Sequence, residues 1–231
     1  MRRLAVFVEG YTEVLFIEKL IIEIAGIHNV VIEKVRVSGG AKSPRTITSL
    51  QAAKVATNEQ YFVLIIDCGG DHQVATRIRE EHEALTAKGY EKILGIRDVR
   101  PKFTLQEVAA LELGLHKYIK TSLIPVEFFL AVMEVEAWFI AEYHHFGKID
   151  ASITVPSIQA ILGFNPQIDD ITLRVEPRLD LENIYGLAGK TYIKPAQNTI
   201  DALDFASIYT NMRARFVHID KMMTSIDEFM R

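Results

Sequence analysis

The chain has 231 residues, 49% hydrophobic and 24% charged, which excludes a disordered or fibrous chain and leaves room for one large domain or one domain with a helical annex. A single cysteine excludes an internal disulfide and points to a reducing compartment. The formal net charge of -4 gives no long-range field for nucleic acid, which counts against a simple coating protein and less against an enzyme that meets phosphates through a few local groups.

Leu4 to Val8 reads as a buried strand at the start of the chain. Acidic residues follow it at once, which is wrong for a signal peptide, and no apolar run approaches the roughly 18 residues of a membrane span. A cytoplasmic, non-membrane protein is expected. Thr12 opens a helix to about Ala25, with Leu15, Phe16, Leu20 and Ile24 along one face. Val30 to Val37 alternates as a β-branched strand, Ser38 to Pro44 reads as a loop, and Thr46 to Thr57 as a helix. Tyr61 to Ile66 is a continuous apolar strand, Gln73 to Lys88 a helix, and Glu91 to Ile96 a further strand. The alternation of strands and helices over about a hundred residues predicts an α/β fold with a mostly parallel, helix-flanked sheet.

Further along, Leu105 to Lys120 reads as a helix, Glu127 to Val132 as a strand and Glu134 to Glu142 as a helix. Beyond Gly147 come short helical pieces broken by Pro156, the Gly163 to Pro166 segment and Pro177, then Thr199 to Phe205 and a terminal helix from about Ser207. The expected division is residues 1–146 as the α/β domain and 147–231 as a helical extension packed on it.

The chemistry concentrates at strand ends. Glu9 closes the first strand and Asp67, with Asp71, the strand Tyr61–Ile66. In a parallel sheet these ends share one edge, where open α/β sheets bind ligands. Such carboxylates are costly when buried alone and suit a hard divalent cation, with water and substrate phosphate completing the shell. A plainer reading stands beside this one: Glu9 caps the following helix or pairs with an arginine, and Asp67 and Asp71 begin a turn. Glu13 lies one helical turn beyond Glu9, as a further ligand or a carboxylate favoured at a helix N-terminus. Gly10 and Gly69-Gly70 allow close backbone approach.

Glu134 and Glu136 form a third acidic cluster after an apolar strand; residues two apart on a helix do not share a face, so one of them is expected at the site, and Glu136 is favoured because Ala137 and Trp138 after it suggest a tightly packed junction that holds it in place. Arg97 and Arg100 follow the fourth strand and Lys42 lies in the loop after the second. All three are candidates to hold a phosphate oxygen, with surface ion pairing as the alternative for the arginines and for Asp98 between them. His72, beside Asp71, is a candidate to assist a water, whereas His144-His145 reads as a polar helix end and Cys68 as a small residue filling a strand end.

The segments Phe7-Val8-Glu9-Gly10-Tyr11-Thr12-Glu13 and Ile65-Ile66-Asp67-Cys68-Gly69 together resemble the TOPRIM fold of type IA topoisomerases, bacterial-type primases, small RNA-maturation nucleases and nucleases of the overcoming-lysogeny-defect class. With Glu134-Val135-Glu136-Ala137-Trp138 added, the chain is similar to a stand-alone bacterial TOPRIM-like family linked to defence and mobile elements. The resemblance covers about residues 3 to 142. It implies that Glu9 matches the TOPRIM glutamate and Asp67 the first aspartate of the Asp-x-Asp motif, whose second position is Gly69 here. That departure speaks against topoisomerase or primase activity. The overcoming-lysogeny-defect class places a later acidic residue instead, which assigns the role to Asp71, with Glu136 as an additional ligand.

The expectation is a nuclease that hydrolyses phosphodiester bonds of DNA or RNA. Mg2+ or Mn2+ would be held by Glu9, Asp67, Asp71, Glu13 and Glu136, with Arg97, Arg100 or Lys42 on the phosphate. No sequence-reading element is visible; Arg174, Arg178, Lys190, Lys194, Arg213 and Arg215 are either backbone contacts or solvated surface. Two other readings stand open. One is a non-catalytic TOPRIM-like regulatory module working with a partner ATPase; the other is a nucleotide phosphohydrolase. The sequence does not set an oligomeric state.

Overall fold

The computed structural model covers residues 1–231, and all are described except Ala41, Lys42, Asp71 and His72. The chain divides into two compact units. The first comprises residues 1–97, 109–130 and 221–231, and the second residues 98–108 and 131–220. The expected boundary at 146/147 therefore falls inside the second unit.

The first unit is built on a six-stranded sheet. β1 (Arg2–Val8), β2 (Val30–Gly40), β3 (Ser43–Gln51), β4 (Tyr61–Asp67), β5 (Lys92–Asp98) and β6 (Val126–Ala131) lie in the order β3-β2-β4-β1-β5-β6. β1 runs parallel to β4 and β5, and β2 parallel to β4, whereas β3 is antiparallel to β2. Two backbone bonds fix the last neighbour. Ile93 N–H donates to the Pro125 carbonyl, and Val99 N–H to that of Ala131, so β5 and β6 advance together. The sheet is thus mixed but mostly parallel.

Leu4 to Val8 are fully buried, as a central parallel strand covered on both faces requires. Strand alternation divides them. Ala5 and Phe7 pack in one core with Val31, Val35, Phe62 and Ile66 of the sheet and with Val74, Ile78 and Leu85 of α2 (Gln73–Ala87). α1 (Tyr11–Ala25) turns Val14, Leu15, Phe16, Ile17, Leu20 and Ile21 inward and lies against β1, β2 and β4. α3 (Val108–His116) buries Leu111 and Leu115. The end of the terminal helix (Val217–Phe229) returns to this unit, where Tyr61 Oη donates to the Met230 carbonyl and the Arg2 guanidinium lies 4.6 Å from the Phe229 ring centroid.

Three sequence expectations are corrected. The segment expected as a helix from Thr46 to Thr57 is instead strand β3 followed by irregular chain, and of the loop expected from Ser38 to Pro44, Ser38 to Gly40 belong to strand β2 and Ser43 and Pro44 to strand β3, while Ala41 and Lys42 lie outside the described residues. The reason is visible at Gly39. Its backbone is left-handed, φ +80°, and a Cβ there would stand 2.0 Å from the Pro44 carbonyl oxygen, so glycine lets the chain fold back on itself. The expected helix from Leu105 to Lys120 is shorter, a 3-10 turn at Leu105–Glu107 followed by α3.

The second unit is a helical assembly of α4 (Glu136–Ala141), α5 (Phe146–Ile149), α6 (Val155–Leu162), α7 (Pro177–Gly186) and α8 (Gln197–Ala202). One-turn helices Phe205–Ser207 and Arg213–Arg215 flank a π-helical turn at Ile208–Met212. α4 packs against α7, and Trp138, Phe139 and Ile140 are buried, as is expected of core residues. His145 is also fully buried, contrary to a polar helix end: the Glu142 carboxylate accepts from the backbone N–H groups of His144 and His145 and draws the turn into the interior. Among the described residues, no helix is long and apolar enough to cross a membrane.

Candidate functional site

The parallel pairing of β1 and β4 sets Val8 beside Asp67, so Glu9 and Asp67 emerge at adjacent strand ends. The chain after β4 then runs along β1: Cys68 N–H donates to the Val8 carbonyl at 2.9 Å and Gly70 N–H to the Glu9 carbonyl at 2.8 Å. Gly69 makes that turn with a left-handed φ of +74°. Glu9 and Asp67 are both buried, at 6% and 1% exposure. A carboxylate so placed requires a cation or donors.

The first unit supplies both. Asp67 Oδ2 accepts from Arg36 Nε at 2.7 Å, and its Oδ1 from Gly69 N–H at 2.9 Å. Arg97 Nε lies 3.8 Å from Glu9 Oε1, and the Arg97 side chain is itself buried. Arg36 sits beside Asp67 in the β2–β4 register and is half exposed, so its guanidinium reaches from the edge into solvent. Glu13 is buried in the first turn of α1 and folds back over Gly10, with Oε2 3.2 Å from where a Cβ on Gly10 would stand. Glu9, Glu13, Asp67 and Arg97 thus lie in one unit at or just beyond the ends of β1, β4 and β5.

Arg36 and Arg77 were not among the sequence-predicted residues. Arg77, on α2, is 3% exposed; its Nη2 donates to the Gly39 carbonyl and its Nη1 to Glu80 Oε2 at 2.8 Å, which ties the hairpin tip to the helix. Its charge also reaches Cys68, whose thiol is nevertheless pushed far up by burial, with the Asp67 charge adding to the shift. Cys68 is therefore an inert core residue, as expected. The alternation of Arg36 on β2 was the available signal; for Arg77 there was none, because one arginine among the charged residues of α2 does not announce its burial.

Asp71, His72 and Lys42 fall outside the described residues. Arg100, Glu134 and Glu136 belong to the second unit and have partners there. Glu136, fully buried, accepts on Oε1 from Tyr192 Oη at 2.7 Å and from Lys194 Nζ at 2.6 Å, while its Oε2 has no hydrogen-bond partner among the described residues. Arg100 donates to the Val175 carbonyl at 2.6 Å and to Glu176 at 3.1 Å. Glu134 accepts from Arg178 N–H at 2.9 Å, at the start of α7, and burial, with the Glu136 charge adding, holds its carboxyl above the usual carboxylate range. Asp98 accepts from Val135 N–H at 3.0 Å, an anchoring role between two chain segments.

The six basic side chains of the second half are also engaged. Arg174 forks onto Asp180, Arg178 pairs with Glu182, Lys190 with Asp150, Lys194 with Glu136 and Arg213 with Asp220, while Arg215 donates to the Pro166 and Asp169 carbonyls.

In kind, the oxygen donors of Glu9 and Asp67 fit a hard divalent cation. In number they fall short of a full protein cage: among the described residues no three acidic, histidine or cysteine side chains group so as to hold a metal ion. A cation there would take its remaining ligands from water or phosphate. Comparison with protein-family models, with curated proteins and with solved structures finds no match to this chain.

Proposed function

We propose that the protein is a divalent-metal-dependent phosphodiesterase acting on DNA or RNA, with its centre at the ends of β1 and β4. One observation carries this reading: two buried carboxylates, Glu9 and Asp67, stand at adjacent parallel strand ends, each with an arginine at its side. The TOPRIM resemblance of the same residues supports it. In this reading Glu9 and Asp67 hold the cation, which when bound supplies Lewis-acid stabilisation and an activated water. Arg97 and Arg36 orient the phosphate through their rigid donor forks. The Gly69-Gly70 turn keeps side chains out of the approach.

The close Arg36–Asp67 pair favours a second reading, in which the arginine serves as a standing counter-ion and the chain is a regulatory module without turnover. Cleavage of labelled single- and double-stranded DNA and RNA in Mg2+ or Mn2+ separates the two. Metal-dependent products that vanish in the Glu9→Gln, Asp67→Asn double variant are expected. Intact substrate, despite calorimetrically measured metal binding, would sink the nuclease reading and leave the module.

A further inference from the structure

Two adjoining clefts in the second unit share one arginine. The first, about 280 Å³, is lined almost wholly by charge, with Arg100 and Arg178 set against Glu134, Glu176 and Glu182. The second, about 370 Å³, is mostly apolar, with Phe103, Leu105, Met133 and Val175 on its walls. Arg100 and Glu176 line both, so their 3.1 Å ion pair stands at the junction. Met133 fixes that junction: its carbonyl accepts from Arg100 N–H at 2.9 Å. Met133 is a buried non-glycine residue with a left-handed φ of +66°, a conformation that persists only where the surrounding structure over-determines it and that gathers at ligand clamps. The charges of the first cleft do not cancel. Three carboxylates face two guanidinium groups, and burial, with the Glu136 charge adding, holds the Glu134 carboxyl above the usual carboxylate range. Oε2 of Glu134 accepts from Arg178 N–H, and its Oε1 has no donor among the described residues. Arg178 meets Glu182 through Nε, and its two outer nitrogens have no acceptor among the described residues. One carboxylate oxygen and one guanidinium fork of the same cleft are thus left open.

We propose that the paired clefts bind a free α-amino acid with a large apolar side chain, its carboxylate on Arg178 and Arg100, its ammonium on Glu134 and its side chain in the apolar cleft. The charges select this occupant. An anion alone would meet the guanidinium fork in the planar, two-point fashion that arginine favours, but would add to an excess of negative charge. A cation alone would answer Glu134 and leave the Arg178 fork unmet. A zwitterion answers both without changing the net charge, and an amino acid carries both groups on one carbon, as a charged cleft of about 280 Å³ requires. A peptide separates its two end charges and is not selected. The third substituent of the same carbon then passes Arg100 into the apolar cleft, whose size lies in the range of small-ligand sites. There the Phe103 ring and the Met133 thioether suit an aromatic or branched chain.

Isothermal titration calorimetry of the full chain with L-phenylalanine and L-leucine, with thermal melting alongside, tests this. Saturable binding with a Kd on the order of 100 μM is expected for so small a ligand. L-phenylalaninamide, which lacks the carboxylate, N-acetyl-L-phenylalanine, which lacks the ammonium, and free glycine, which lacks the side chain, should each bind at least about tenfold more weakly. Arg178→Gln and Glu134→Gln should each weaken L-phenylalanine about tenfold, and so should Val175→Glu, which sets a charge on the apolar wall. The Arg178 and Val175 side chains are more than half exposed, so these two variants should keep an unchanged circular dichroism spectrum. If a variant fails to fold, the ligand series on the wild type still decides. Neither saturable heat nor a raised melting temperature at about 10 mM of either amino acid overturns the proposal, as does equal affinity for the amide or the acetyl derivative, or an affinity unmoved by Arg178→Gln. None of these outcomes depends on whether the chain cleaves nucleic acid.

Discussion

A buried carboxylate needs a cation or donors beside it, and at Asp67 Arg36 supplies the cation. Replacing Arg36 by Gln removes the cation and leaves Asp67, at 1% exposure, with the Gly69 N–H as its remaining donor among the contacts given above. Without added divalent metal this variant should lose about 1–3 kcal/mol in urea unfolding, the scale of a hydrogen bond to a charged group. If a cation binds where proposed, Mn2+ should restore part of that loss and raise the variant's melting temperature more than the wild type's. An equal rise in both would count against metal binding at Asp67. At Glu134 burial favours the protonated acid. Its favourable contribution is fully present below the ordinary carboxylate range and is lost as pH rises through the raised folded value. Glu134→Gln, which still accepts from Arg178 N–H, should therefore gain stability relative to the wild type as pH climbs from acid to neutral. Urea unfolding at a series of pH values reads that difference directly, and a flat difference would refute it.

Strand β5 shows how tightly the first unit is drawn together. A Cβ at Gly95 would stand 2.7 Å from Ile78 Cδ1 of α2 and 2.7 Å from Phe128 Cδ1 of β6. The isoleucine tip can swing aside, but the phenyl ring is rigid, so Gly95→Ala should cost about 1–3 kcal/mol by overpacking, measured as a lower urea midpoint at unchanged slope. The same density explains what the sequence made legible. β1, β4 and β5 are apolar runs because both faces are buried, and α1 shows its apolar face because it covers them; their ends therefore delivered Glu9, Asp67 and Arg97 to one unit. β3 was misread because both its faces are exposed. With no buried face to impose alternation, Arg45-Thr46-Ile47-Thr48-Ser49 carries only a β-branched preference, and Ala52-Ala53-Lys54 beside it are better helix formers than strand formers. Hairpin geometry, set by Gly39 meeting the Pro44 backbone, is a contact that no periodicity announces. Arg77 was invisible for the same reason, since its burial follows from the hairpin it holds.

If the chain acts on nucleic acid as proposed, its charge limits how that substrate can be held. The net charge is -4, and Arg174, Arg178, Lys190, Lys194, Arg213 and Arg215 are already committed to carboxylates or carbonyls, so the candidates for a phosphate at the proposed centre are Arg36 and Arg97, with Lys42 as the sequence's remaining candidate. Each phosphate contact releases condensed counter-ions, and the logarithm of duplex affinity falls against the logarithm of salt with a slope of about -0.9 per contact. Two or three contacts predict a shallow slope of about -2 to -3, measured by anisotropy with the Glu9→Gln, Asp67→Asn variant so that the substrate survives. Arg97→Ala should reduce that slope by about one at every sequence tested, because a phosphate contact carries no base information. A slope near -6 would mean instead that cations beyond Arg36, Arg97 and Lys42 meet the phosphates, and that these three do not account for the binding.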